Sequence, residues 1–562
     1  MNYIGIDFGT TNSVVADFTG YARVLRRSDD DVVPSVVCLR SDGTLAIGQD
    51  AKEMFLGDNG IRSIKTFLGR GDSVRIGDDV FKPVELAGSI FRKLKTIAEE
   101  NLGETVTRAV VTVPANSKGL QRQDTKIAAG IAGLRVLTLI NEPTAAAMAY
   151  GLGAEREQKI LVYDFGGGTF DVTILKIHHG VFEELASKGI GQLGGDDIDK
   201  RLAEYVREEC LRDGIDIPVG SRHFRELELV CERAKIRLSE AEMATVRLLE
   251  RPIEKVITRA LLTRLIGDLV GKTKGPMDIA LEDAGLTKDE IDTVIMVGGT
   301  SKIPAVREFV EAYFGRQGLI ATGVDPLTCV AQGAAIASAL IQDAPGMEDY
   351  AYSVKLEHSL CATPMDPITG NLYLDPIIPR GRDIPCASTS TYSPVHDFAE
   401  AVQVQIYEGD VYHDLDDPEN VKLGEIQVPL DPPRPREEVG LAVTFRYTQE
   451  GILNVTIADE VSGQAVEESI RYVNEELSPK ELVQLANQTE ERMASAKEYK
   501  DAAYALKQCR EKIIPAMEDE DARSLEGLCR QLVGAMEQAD DALVDELTVE
   551  LNREIDRYPF LL

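Results

Sequence analysis

Ile4-Gly5-Ile6-Asp7-Phe8-Gly9-Thr10-Thr11-Asn12 and Val162-Tyr163-Asp164-Phe165-Gly166-Gly167-Gly168-Thr169-Phe170-Asp171 are two versions of one loop. Each reads as an apolar strand, then aspartate, an aromatic, glycine and hydroxyl residues. Glycine lets backbone N–H groups come close to a phosphate, and hydroxyls add further donors. A carboxylate at the strand end can hold a hydrated metal ion. One such loop is weak evidence, but two, 157 residues apart (164 minus 7), predict duplicated lobes facing each other across a nucleotide. A third glycine signal, Val294-Ile295-Met296-Val297-Gly298-Gly299-Thr300-Ser301, again follows an apolar strand. Alone it could equally be an ordinary strand-to-helix turn. Beside the other two it reads as the lining of the adenosine end. Glu232, Lys235 and Ser239 fall on one helical face and could supply polar contacts there.

Composition bounds what surrounds these loops. The chain has 562 residues, enough for about three or four domains. No apolar run is uniform enough to span a bilayer, and the first residues lead directly into a strand with no charged-then-apolar leader, so a cytoplasmic, non-membrane protein is expected. Eight cysteines lie scattered without a C-x-x-C pair, which favours free thiols in a reducing compartment. Cys231, beside Glu232, reads as a buried, inert thiol. The six histidines form no ligand spacing, so no transition metal is expected. A net charge of −33 argues against nucleic-acid binding, which needs a basic footprint.

Along the chain, residues 1–342 alternate strands and helices, as α/β domains do. Strands are predicted at Tyr3–Asp7, Arg108–Val113, Lys159–Asp164, Asp171–Ile177 and Thr293–Val297, and helices from about Ser117 to Ala132 and from Pro143. Proline, glycine and acids at Asp343-Ala344-Pro345-Gly346-Met347-Glu348-Asp349 predict a linker over residues 343–352. Over residues 353–474 the period becomes two. Val402, Val404 and Ile406, then Leu441, Val443, Phe445 and Tyr447, then Leu453, Val455 and Ile457 each line one face of a strand. This predicts an antiparallel β module. Residues 475–562 return to helical period. Ser478-Pro479-Lys480-Glu481 reads as a capping box, Pro515 as a helix end, and Leu525, Leu528, Leu532, Met536 and Leu543, Leu547, Leu551, Ile555 as two apolar stripes of a small bundle of three or so helices.

The order of these signals, with Ile140-Asn141-Glu142-Pro143-Thr144 between them, resembles the heat-shock protein 70 (DnaK-type) chaperone family. Further stretches that carry the likeness are Gly5–Ser13, Ile64-Lys65-Thr66-Phe67-Leu68-Gly69-Arg70, Val111-Thr112-Val113-Pro114-Ala115, Gln121-Arg122-Gln123, Asp164–Val172 and Gly191-Gln192-Leu193-Gly194-Gly195-Asp196. The resemblance covers nearly the whole chain and is most specific in its first half. It implies an α/β actin-like ATPase of two duplicated ribonuclease-H-like lobes, then an antiparallel β-sandwich that binds peptide, then a C-terminal helical lid.

It also implies roles. Asp7 and Asp164 would hold Mg²⁺ through its waters. Gly9, Thr10, Thr11, Asn12, Gly166, Gly167, Gly168 and Thr169 would meet ATP or ADP phosphates. Gly194, Gly195, Glu232, Lys235, Ser239, Gly298, Gly299 and Thr300 would complete the nucleotide site, with K⁺ as an optional further ion. Lys65 would orient the attacking water and offset developing charge, with Glu142, Asp171 and Thr169 as its catalytic partners. Pro114 and Arg122 match the pair that relays nucleotide state between domains. Val402, Val404 and Ile406 would floor a cleft for extended peptide.

Departures from the family pattern are specific. Pro114 is followed by Ala115-Asn116-Ser117-Lys118-Gly119 where relatives usually have Ala-Tyr-Phe-Asn-Asp. Thr138 stands at a commonly basic position tied to the J-domain co-chaperone, and Leu327 replaces an acid. The apolar interdomain linker is replaced by Glu348-Asp349-Tyr350-Ala351-Tyr352-Ser353-Val354. The expected function is an ATP-dependent chaperone for unfolded, extended polypeptides, working with a J-domain co-chaperone and a nucleotide exchange factor. A nucleotide-gated scaffold or exchange factor with uncoupled ATPase is the rival reading, and a sugar kinase on the same fold a weaker third.

Overall fold

The computed structural model describes every residue except 1, 27–31, 56, 116, 118, 152–155, 179–180, 249–252, 348–353, 357, 367, 418–419, 449–451, 471–478, 495–498, 518, 560 and 562. The two quoted loops each open a meander. Strand Ile4–Phe8 turns back into Asn12–Phe18, which pairs antiparallel with it and with Ala22–Val24; on the other side Arg108–Val113 runs parallel, followed by Arg135–Asn141. The second sheet repeats this order. Gln158–Phe165 turns back into Phe170–His178 and then Val181–Ile190, while Thr293–Val297 runs parallel on the far side. A single parallel bridge, Val294 to Ile320, stands where the first sheet has its fifth strand. Asp7 and Asp164 therefore occupy equivalent strand ends, and the predicted duplication is present in the topology.

The strands form because both faces are buried under helices, which favours near-continuous apolar runs such as Ile160–Val162 and Val110–Val111. Each sheet carries its own core, one including Ile6, Phe8, Phe91 and Val111, the other Tyr163, Phe165, Phe170 and Ile198. Between them two small-residue helices, Glu142–Gly151 and Cys329–Ile341, cross at backbone contact. A Cβ built on Gly333 would stand 1.7 Å from the Ala145 carbonyl oxygen, and one on Gly5 would stand 2.0 Å from the Ala335 nitrogen. Glycine at these positions lets the helices reach each other and the first strand. The expected linker begins inside this body. Ala344 and Met347 are buried against Val14, Ala16 and Phe18, and the break in pattern from Glu348 to Ser353 lies outside the described residues.

Residues 354–470 build two four-stranded antiparallel sheets. In one, Ala401–Glu408 is flanked by Leu360–Ala362 and Val421–Pro429; in the other, Leu441–Tyr447 lies between Cys386–Tyr392 and Leu453–Asp459. Leu441, Val443 and Phe445 alternate inward with Leu453, Val455 and Ile457, as the two-residue period requires. Phe445 is fully buried in this core. Phe445→Ala should therefore cost about 3–5 kcal/mol of this module's stability, read as an earlier thermal transition of this module with the unfolding of the two α/β lobes unmoved.

The C-terminal helices do not form one separate bundle. Pro479–Ala494 lies along Pro83–Leu102, with Leu485 and Met493 on the first lobe's core; Ser478 of the expected capping box is outside the described residues. Lys500–Gln508, Asp519–Glu537 and Asp541–Ile555 form a compact bundle. Pro515 sits in a tight turn, Ile514–Ala516, that closes the first of these stretches. The stripe Leu547, Leu551, Ile555 is buried as predicted, but Leu543 is 38% exposed, and Val544 replaces it one position on. The bundle's core includes Val36, Cys38, Ala46, Ala51 and Met54 of the first lobe, whereas the β module's core is built from its own residues.

Candidate nucleotide site between the two lobes

The acids converge where the strands of both lobes end. Asp7 is half-buried and accepts a hydrogen bond from Thr112 Oγ1 at 3.0 Å. Burial first, then repulsion by Glu142, pushes Asp7 up to about 7. The same two causes push Asp171 up to about 6 and raise Asp164, which also feels Asp171 and Asp7. Carboxylates that repel one another in a half-buried site favour a cation among them. Lys65, on the short turn Ile64–Phe67, is only 3% exposed and ion-pairs with Glu142 at the start of the crossing helix. Long charged side chains are ordinarily exposed, so the burial of this lysine sets it apart.

The phosphate-type loops touch across the cleft. A Cβ on Gly167 would meet Thr11 Oγ1 at 2.0 Å, and Thr11 Oγ1 is buried with no hydrogen-bond partner among the described residues. Thr10 lies against Gly168, and Asn12 starts the return strand. Gly9 is tied through its carbonyl to Ser35 Oγ at 2.8 Å, itself linked to Ser13. Gly166 accepts from Thr300 Oγ1 at 2.7 Å, and Gly298, with φ of 83°, lets the chain pass against Phe165. Thr169 hydrogen-bonds Asp171. Gly194 packs so closely on Gly167 that a Cβ would stand 2.1 Å from its carbonyl oxygen, and Gly195 accepts from Lys235 Nζ at 3.1 Å. The three glycine loops predicted separately thus form one lining.

Lys235 also donates to Asp199 at 2.7 Å. Burial alone would lower its ammonium, but Asp199 and Glu232 together hold it raised. Glu232 bridges the lobes, accepting from Lys52 at 3.0 Å with Arg62 at 3.7 Å. Against the opposing effect of burial, these cations bring Glu232 down to about 2. Ser239 stands two turns further along the same helix, Arg222–Glu240, and Gly299 lies beside Leu327. Cys231 is fully buried, and burial raises its thiol, as its inert reading expects. Pattern reading missed Thr112, Asp199, Lys52 and Arg62. Thr112 carried a signal, since it sits at the strand end next to Asp7; the others meet the site only through long-range packing.

Arg122 donates to the Ser117 carbonyl at 3.1 Å and to Asn141 Oδ1 at 2.8 Å, so the turn after Pro114 is tied to the residue preceding Glu142. Val402, Val404 and Ile406 share one face of their strand; Ile406 is wholly in the β core, and the two valines are half-buried beside it.

A Mg²⁺–nucleotide fits these donors. Among the described residues no three or more His, Cys, Asp or Glu form a direct metal cage. Magnesium dehydrates reluctantly and is held through water and phosphate by one or two carboxylates, as Asp7 and Asp164 would do.

Two lobes of repeated topology, with paired acids and glycine loops at their facing strand ends, define a nucleotide-dependent enzyme of the kind the motifs suggest. Residues 3–557 match the family described as Hsp70 protein, and the chain belongs to that family of ATP-dependent molecular chaperones, which are ATPases. It is 37% identical to the Chaperone protein DnaK of Thermotoga petrophila and of Thermotoga maritima, over 98% of this chain and 95% of each relative. It is 34% identical to the Chaperone protein DnaK of Thermosipho melanesiensis, with the same coverage. No helix among the described residues is long and apolar enough to cross a membrane.

Proposed function

We propose that residues 1–342 form an actin-like ATPase of two ribonuclease-H-like lobes, joined by residues 343–352 to a peptide-binding β-sandwich at 353–474 and a helical lid at 475–562. The observation that carries the reading is the pair of buried Lys65 with half-buried Glu142, set among Asp7, Asp164 and Asp171. Phosphoryl transfer needs positioning and charge neutralisation more than covalent chemistry. Thr10, Thr11, Thr169 and the backbone N–H groups of the glycine loops hold the phosphates in line. Lys65 orients the attacking water and meets the charge that develops on the transferred group. Glu142 and Asp171 accept hydrogen bonds from that water or from the water shell around Mg²⁺, with K⁺ an optional second ion. Magnesium, when bound, would be held through its waters by Asp7 and Asp164 and would supply charge neutralisation at the phosphates. Glu232, Lys235 and Ser239 receive the adenosine.

Arg122 supports a relay from nucleotide to the second domain, because it ties the Pro114 turn to Asn141 beside Glu142. Val402 and Val404 supply apolar anchors for an extended client, with Ile406 as core support beneath. A cytoplasmic setting, a J-domain partner and an exchange factor complete the cycle. The test is the ATPase rate with and without extended apolar peptides. Stimulation at saturating peptide is expected. A rate indifferent to peptide, with ATP still hydrolysed, would replace this reading with a nucleotide-gated scaffold.

A further inference from the structure

The C-terminal bundle touches both lobes outside the nucleotide site. On the first lobe it shares an apolar core with Val36, Cys38, Ala46, Ala51 and Met54. The Tyr499 N–H donates to Asp50 Oδ2 at 3.0 Å, and the Arg40 guanidinium lies over the Tyr499 ring. On the second lobe, Arg247 donates to the Ile514 and Met517 carbonyls at 3.2 and 2.6 Å, and Arg530 pairs with Glu226 at 2.9 Å. One node joins all three parts. Glu53 of the first lobe accepts from Arg510 of the bundle at 2.9 Å and lies 3.5 Å from Arg233 of the second lobe. Its neighbour Lys52 makes the inner bridge to Glu232, on the same helix as Arg233.

The geometry points to the C-terminal bundle as an internal brace across the mouth of the nucleotide cleft, so that nucleotide leaves only after the bundle lifts from the second lobe. This rests on the nucleotide reading above. A nucleotide held between the strand ends escapes only if the lobes part, and any contact spanning both lobes opposes that parting. The spanning contacts form two layers: Lys52 and Arg62 on Glu232 beside the adenosine end, and outside them the bundle. The outer layer is built to come off. The two lobes and the bundle border a half-open cleft of about 560 Å³, lined by Phe55, Arg225, Met243, Pro515 and Val533 among others. Where the bundle faces this cleft it makes none of the close contacts that a fully packed, permanent core would make. The second-lobe contacts are polar, and Arg530 and Glu226 are partly exposed. Such pairs contribute little stability singly, and they break and reform readily.

Stopped-flow release of a fluorescent ADP analogue from the full chain, with magnesium, tests the brace. Arg530→Glu places like charges opposite Glu226 and should speed release by roughly threefold to tenfold. The double variant Arg530→Glu/Glu226→Arg restores opposite charges and should return release towards the original rate, which a general loss of folding could not do. Arg247→Ala, far from the phosphates, should also speed release while single-turnover hydrolysis stays unchanged. Release unaltered in Arg530→Glu and Arg247→Ala, with ADP still bound, overturns the brace and leaves the nucleotide reading intact. Failure of the unaltered chain to bind ADP overturns both.

Discussion

Lys65→Ala should bind ATP yet hydrolyse it about a hundredfold to a thousandfold more slowly in single turnover, the loss seen when one preorganised charge-stabilising donor is removed. The lysine is almost wholly buried and faces Glu142, in a site where Asp7, Asp164 and Asp171 already resist ionisation. Its ammonium is the side-chain cation that relieves this cluster in all three of those carboxylates' environments. Without it Glu142 is left uncompensated, and a buried charge stripped of its partner is strongly destabilising. The effect should therefore appear as slower chemistry together with a lower melting temperature in the absence of nucleotide. Adding Mg²⁺ and ATP should recover more stability in the variant than in the original chain, because the ion then supplies the missing positive charge. Unchanged single-turnover hydrolysis with ATP bound would remove Lys65 from the mechanism.

Gly333→Ala should abolish the folded ATPase region, the largest stability effect expected in the molecule. The added methyl would lie 1.7 Å from the Ala145 carbonyl oxygen and 2.4 Å from its carbon, so no side-chain rotation relieves it. The helices Glu142–Gly151 and Cys329–Ile341 would have to separate, taking Glu142 with them. Ordinary overpacking costs about 1–3 kcal/mol. A clash between backbones should exceed roughly 4 kcal/mol, a large part of the about 5–15 kcal/mol that holds a domain folded. Gly527→Ala is the matched control. It lies within the helix Asp519–Glu537, and an added Cβ meets no atom within 4 Å. That change should stabilise by about 0.5–1 kcal/mol through helix propensity. Circular dichroism melts distinguish the two. A Gly333→Ala chain that melts normally and binds ATP would show that the crossing is not tightly held.

The repeated strand–Asp–aromatic–Gly pattern made the lobes legible, because a local signal appearing twice with the same polarity leaves few topologies that bring both loops together. The β module was equally plain, since the inward positions Val443, Phe445, Val455 and Ile457 follow a period that only strands produce. Lys65 and Glu142 were located through the family resemblance alone. Seventy-seven positions separate them, and nothing local announces their pairing. Lys52 and Arg62 escaped for the same reason, as their partner Glu232 lies in the other lobe. The site of the C-terminal helices was also not legible. An amphipathic stripe states that a face is buried but not against what, and Leu506, Ile513 and Leu532 found Ala51 and Met54 rather than the β module. The exposed Leu543 shows the same limit on a smaller scale, because a stripe drawn at every fourth residue drifts from the true 3.6-residue turn.

Titration calorimetry of the intact chain with ATP, in the presence and absence of magnesium, tests the twin-lobe clamp most directly. Saturable binding at one site is expected, much tighter with the ion and weakened by neutralising Asp7 or Asp164. No binding of ATP by the folded chain with magnesium present would contradict it.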